Sequence, residues 1–137
     1  MSNSGKYDFL SVTLLESEFW RNNFLPDEII GEVNLNHTHH LVNDTELYCF
    51  FELGYFSGSD ESEFVKAHIK MVGHFQIIGT PPLSVEKFTE VNSQAIMFPF
   101  IREHLASLTL KAGMDPILLP PVNFVEKATL EKRKESD

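Results

Sequence analysis

Between residues 29 and 78 the apolar positions of this chain recur at every second residue; beyond Ser84 they recur at intervals of three and four. The alternation is cleanest over residues 29–41. Ile29, Val33, Leu35 and Leu41 share one face and Glu32, Asn34, Asn36 and Thr38 the other, the pattern of a half-buried strand. Residues 45–56 place Leu47, Cys49, Phe51, Leu53 and Tyr55 on one face, with Tyr48, Phe50 and Phe56 opposite. Two apolar faces predict a central strand covered twice. Residues 63–78 alternate again, Val65, Ala67, Ile69, Met71, Phe75 and Ile77 sharing a face with Gly73. Residues 7–20 carry Phe9, Val12, Leu14, Leu15, Phe19 and Trp20 without helix caps and read as the first strand, ended by Asn22-Asn23 and Pro26. The turns Asn43-Asp44 and Ser57-Gly58-Ser59-Asp60 join the rest. Consecutive strands on short turns predict an antiparallel meander.

The second half reads as helix. Pro81-Pro82 closes the sheet, and Ser84 caps a short helical turn over residues 84–91, with Glu86 in its first turn. Asn92 is expected to cap the main helix and Ala112-Gly113 to end it. Pro99 has no N–H for the carbonyl of Ala95, so it kinks this helix or marks where its regular part begins. Phe98, Ile101, Leu105 and Leu108 form a stripe. Residues 95–101 are apolar nearly all round and must be covered on more than one side. A chain this short offers one sheet, so a second subunit is expected to supply the remaining cover. After the connector 114–121, residues 124–134 predict a weak, highly charged helix. The expected fold class is α+β: a four-stranded antiparallel β-sheet meander followed by a long Pro-containing helix and a short C-terminal helix. One domain spans 1–137, with 1–6 and 132–137 expected to be disordered.

Composition narrows the function. A length of 137 residues suits one domain with a core that needs no disulfide or metal. The net charge of -9 repels phosphate backbones and disfavours nucleic acid. A single cysteine, Cys49, lies in an apolar run and reads as a buried thiol in a reducing compartment. The first residues lack the basic start and apolar centre of a signal peptide. No run approaches the ~20 apolar residues of a membrane span. The expectation is a cytoplasmic protein without membrane insertion.

Candidate chemistry is sparse. His37-Thr38-His39-His40 invites a metal reading, with His37 and His39 pointing the same way from a strand. A zinc site needs three or four convergent ligands, and the lone cysteine completes none. No glycine-rich phosphate loop and no Gly-x-Ser-x-Gly elbow is present. The reading is a non-enzyme with no cofactor and no metal. Twelve Phe residues point instead to apolar contact, in an oligomer interface or a site for apolar polypeptide.

Two stretches carry a family resemblance. Ile96-Met97-Phe98-Pro99-Phe100-Ile101-Arg102-Glu103 resembles the apolar helix start of the SecB protein-export chaperones, with their Phe-Pro, an aromatic and Ala-Arg-Glu. Leu118-Leu119-Pro120-Pro121-Val122-Asn123-Phe124 is similar to their Leu-x-Pro-Pro-Val-Asn-Phe, and Gly73-His74-Phe75-Gln76-Ile77-Ile78-Gly79 to their Gly-x-Phe-x-Ile-x-Gly. The resemblance implies a homotetramer, a dimer of dimers with Ile96, Phe98, Phe100 and Ile101 serving assembly. It implies an ATP-independent holdase for unfolded preproteins or other unfolded polypeptides. The client groove it implies is lined by Val33, Leu35 and His37, by Ala67, Ile69 and Met71, and by Phe124 and Leu130. It also implies an acidic sheet surface that docks SecA, for which Glu16 and Glu18 are the residues at hand.

Departures from the family pattern bear on that last expectation. Lys66 and His68 stand where the family carries a leucine and a glutamate, the Ser-Phe-Glu-x-Pro motif of the first strand is absent, and residues 125–134 are more polar than the family's apolar lid. Alternatives therefore stay open. One is a SecB-like chaperone that protects the antitoxin of a toxin–antitoxin pair. Another is an oligomeric adaptor that has lost the groove, and a third is a small enzyme built on the histidine cluster.

Overall fold

The computed structural model describes residues 5–136. Four strands, β1 (Lys6–Arg21), β2 (Glu32–Asn43), β3 (Glu46–Gly58) and β4 (Glu63–Ile78), form one antiparallel sheet in the order β1-β4-β3-β2. The expected meander is corrected by that order. It runs only through β2, β3 and β4; β1 lies beside β4, at the far edge from β2. The crossover segment 22–31 therefore spans the end of the sheet, giving a Greek-key order.

The irregular pattern of β1 has a physical cause. Its pairing with β4 shifts between Phe9 and Ser11 and again between Leu14 and Glu16, so Leu10 and Leu15 are bulge residues. Each extra residue flips the side-chain phase. The register then aligns Tyr7, Phe9, Val12, Leu14, Ser17 and Phe19 with the helix-facing residues of β4.

A helical layer covers one face of the sheet. Ser84 Oγ accepts from the Lys87 N–H at 3.3 Å and starts α1 (Val85–Lys87) as expected. Asn92 does not cap the main helix: it has helical dihedrals and no capping bond. The chain instead passes from α1 through a π turn (Phe88–Asn92) directly into α2 (Ser93–Lys111). Pro99 lies inside α2, and Gly113, at φ 74°, ends it. Gly73 lets the helix approach β4, since a Cβ there would stand 2.9 Å from Met97 Sδ.

The core lies between the layers. Leu47, Phe51, Leu53, Val65, Ile69 and Phe75 from the sheet meet Phe88, Met97, Ile101 and Leu105 from the helices. The second cover expected for β3 is not supplied among the described residues: on its other face Tyr48 and Phe50 are half-buried and Phe56 is exposed. The last helix, α3 (Phe124–Ser136), runs past Glu131 through residues expected to be disordered. Lys6 is likewise in β1, and the Gly5 N–H donates to Thr80 O at 3.1 Å. Residues 1–4 and 137, also expected to be disordered, lie outside the described residues.

Candidate functional site

β2 is an edge strand, paired with β3 on one side only. Two cavities lie along this edge, one toward each end of the strand, and together they are called the trough. One is a cavity of about 500 Å³ whose walls include Leu25, Ile29, Val33, Tyr55, Ile117 and Leu118, with Asp27, Glu28 and Asp115 among its polar residues. The other is a cavity of about 600 Å³ lined by His37, His39, Glu86, Glu90, Glu131 and Lys132, among others.

The apolar end is made from the crossover 22–31 and the connector 114–123, two segments without regular structure, and polar anchors hold both. Arg21 donates to the carbonyls of Asn22 (2.8 Å), Asn23 (3.1 Å) and Ala112 (2.8 Å), tying the start of the crossover to the end of α2. Ser57 Oγ donates to Ile30 O at 2.7 Å. Gly31 lies so close to the Tyr55 ring that a Cβ would overlap it. In the connector, Arg102 Nε donates to Leu119 O at 2.6 Å and the Ile117 N–H donates to Thr109 Oγ1 at 2.9 Å. Backbone groups are thus satisfied by polar side chains while apolar side chains stay outside. Phe24 is 83 %, Ile30 74 % and Leu118 63 % exposed. Of these Leu118 lines the cavity, with Leu25, Ile29, Val33, Tyr55 and Ile117, and apolar groups around a concave site suit an apolar ligand.

The polar end lies under α3. Gln94 is buried and donates to the Thr89 and Glu90 carbonyls at 3.0 and 2.8 Å. These are carbonyls of the π turn, whose wider hydrogen-bond ring leaves room for side-chain partners. With its NH₂ so engaged, Gln94 turns Oε1 to Lys127 Nζ at 2.9 Å. Lys127 also donates to Glu131 Oε2 at 2.9 Å and stands 3.4 Å from His37 Nδ1. Burial first, and then the Lys127 ammonium, hold the His37 imidazole below its ordinary range. Nearby, burial pushes the Cys49 thiol up to about 11, so it stays protonated.

The trough unites only part of the expected groove. Val33 and His37 line its two cavities at β2, Leu35 between them is half-buried against the core, and Leu130 is 48 % exposed on α3. Ala67, Ile69, Met71 and Phe124 are buried within the chain: Ile69 is fully buried, and Phe124 packs edge-on against Phe51 and Phe98, while Met71 and Ala67 also touch shallow pockets on the β1 side. Of the expected assembly residues, Ile101 and Phe98 are also buried in the chain's own core; Ile96 is half-buried and Phe100 is 42 % exposed. The stripe reaches the sheet because α2 lies directly on β3 and β4.

Glu16 and Glu18 lie on the open sheet face, but not on a purely acidic one. His68 stands 4.0 Å from Glu16 and 3.0 Å from Glu52, and Lys66 lies over the Trp20 ring. Among the described residues no group of three His, Cys, Asp or Glu is arranged to hold a metal ion, and no helix is long and apolar enough to cross a membrane. The sequence reading missed Leu25, Ile29, Tyr55, Ile117 and Leu118 as wall residues. Apart from Tyr55, which lies in β3, they are apolar side chains near Pro26, Pro116 and Pro120, in segments that form neither strand nor helix.

The fold agrees with what the chain is related to. The SecB family, described as preprotein translocase subunit SecB, matches residues 25–134, and the chain belongs to that family. It is 29% identical over 100 residues to the uncharacterized protein MJ0357 of Methanocaldococcus jannaschii, a match covering 69% of this chain and 64% of that protein. It is 37% identical over 67 residues to the protein-export protein SecB of Azoarcus sp., covering 49% of this chain and 44% of that one. The matches thus span less than two thirds of either relative. Among solved structures it is similar to the Mycobacterium tuberculosis Rv1957 SecB-like chaperone, solved in complex with a ChAD peptide from the Rv1956 HigA1 antitoxin. There the TM-score is 0.75 at 10% identity, over 85% of this chain and 90% of that one.

Proposed function

We propose that this protein is a SecB-type chaperone that holds apolar segments of unfolded polypeptides along the β2 trough, without ATP and without catalysis. The observation that carries this reading is the pair of pinned, irregular segments that set Leu25, Ile29, Ile117 and Leu118 around one cavity with Val33 and Tyr55, Leu118 and Val33 being exposed. A holdase needs such preformed apolar surface, because ordering a flexible site on each client would weaken binding. Binding the unfolded state draws the folding equilibrium away from the native client by mass action.

The assembly implied by the family, a homotetramer in the cytoplasm, is part of the proposal. Exposed Leu10, Leu14 and Phe100 support it, since Leu14 and Phe100 share an apolar pocket with Val12 and Pro99 at the β1 edge. A repeated trough would then add weak contacts by multivalency. The mixed charges around Glu16 argue against SecA as the partner of the open face. Protection of an antitoxin is the second reading, favoured by the fold likeness to the Rv1957 chaperone.

The test is suppression of aggregation of a chemically unfolded model protein. Wild type is expected to suppress it in proportion to added chaperone, and Leu118→Ser with Val33→Ser to lose most of that effect while keeping the wild-type circular dichroism. Equal suppression by the double variant would remove the trough from the mechanism.

A further inference from the structure

α3 is fastened to the molecule in an unusual way. Its first residue, Phe124, is buried in the core, and Ala128 one turn on is buried too. The next apolar residues face away: Val125 is 63 % and Leu130 48 % exposed. What holds the rest of the helix over the polar end of the trough is the Lys127 cluster. Its ammonium donates to Gln94 and to Glu131 of its own helix, and His37 Nδ1 of β2 is the third acceptor within reach. Lys132 adds a bond across to Glu90 of the π turn at 3.3 Å. A 13-residue helix has little stability alone in water, so its helicity depends on this docking.

We propose that Lys127 latches α3 over the polar end of the trough, and that protonation of His37 releases this latch so that the helix swings away from its anchor at Phe124. The chemistry lies in one nitrogen. Only an unprotonated Nδ1 accepts a hydrogen bond from an ammonium. When imidazolium forms, that nitrogen becomes an N–H aimed at Lys127, and two positive charges stand at the former bonding distance. The other charged groups around His37 do not reverse this. Glu131 and Glu90 favour the imidazolium, but they are bonded to Lys127 and Lys132. Glu86 of α1 lines the same cavity, as do Lys134 and Lys132 of α3 and His39 of β2, so the wider cavity carries both signs while Lys127 is the cation beside the ring.

The sign follows. In the closed state burial and Lys127 lower the affinity of His37 for a proton. In the open state the imidazole is solvated and takes one more readily. α3 is therefore fully latched above the ordinary histidine range, about pH 6.5, and loses the latch as pH falls through it. The trough as a client site gives the latch its use, but the latch is tested on the free protein, so the two ideas fail separately.

The experiment is amide hydrogen exchange of the full chain at about pH 7.5 and about pH 5.5, corrected for intrinsic rates. In wild type, α3 protection is expected to fall several-fold at the lower pH while β3 and β4 keep theirs. In His37→Gln the pH difference should vanish, and in Lys127→Met α3 should be poorly protected at both. Wild-type α3 protection that ignores pH would overturn the proposal. So would an unchanged pH response in His37→Gln, or a fall shared by β3 and β4.

Discussion

α2 and α3 are both covering helices, yet they are attached by opposite means. α2 buries Met97, Phe98, Ile101 and Leu105, and its polar residue Thr109 is fully buried and bonded. α3 buries Phe124 and Ala128, and beyond them is docked by a partly buried lysine and a buried glutamine. Hydrophobic burial scales with area and does not depend on proton uptake. Polar docking yields a small net gain, and its strength follows protonation and salt. The first makes a permanent layer. The second makes a layer that opens at low free-energy cost, which is what a client groove requires of its cover.

The comparison can be broken at three points. Ile101→Ala should have the largest effect, about 2–5 kcal/mol of global stability, because it leaves a cavity where α2 meets the sheet; chemical denaturation measures it. A loss of a few tenths would mean that α2 is not the permanent layer. Thr109→Val should cost about 1–3 kcal/mol, because its hydroxyl accepts from the buried-side Ile117 N–H and nothing would replace it. The connector should then exchange faster while α2 does not, and equal acceleration of both would count against separate anchoring. Leu130→Ser should change stability by less than about 0.5 kcal/mol, since the side chain is half exposed. Its effect belongs in client binding, and a marked drop in melting temperature would show that α3 is packed rather than latched.

Cys49 offers a further check on the covering layer. Burial pushes its thiol up to about 11, so it should react with a thiol reagent at neutral pH only after unfolding. The sign for stability is the same: thiolate formation in the unfolded chain, above its usual value of 9.0, destabilises the fold as pH rises. Reaction in the native state at the rate of a free thiol would mean that the layer over β3 opens far more often than α2's packing allows.

The legible parts of the sequence were those whose information is local. Leu47 to Tyr55 and Val65 to Phe75 announce their buried face by parity alone, and all of those odd positions are on the helix-covered side. Ser84 and Gly113 announce helix ends because capping is a contact of a few residues. β1 was harder, since two bulges invert its parity and nothing in the spacing marks where. The candidate groove was half legible. Val33, Leu35 and His37 follow from the alternation of β2, but Ile69 and Phe124 could be assigned to a groove only while the position of α2 was unknown.

The amino-acid sequence by itself determined the strands, the helices and the apolar inventory, because period and capping are properties of neighbouring residues. It also determined that Phe98-Pro99-Phe100 lies within a helix too apolar for one-sided exposure. The tertiary structure decided the rest. It set β1 beside β4, drew the crossover over the end of the sheet, and met it with the connector through Arg21 and Ala112. The trough exists only where those distant segments meet, and Lys127 becomes a latch only because α3 lies over His37, 90 positions away in sequence. Such contacts depend on how the chain closes its long loops, and no short-range pattern encodes that closure.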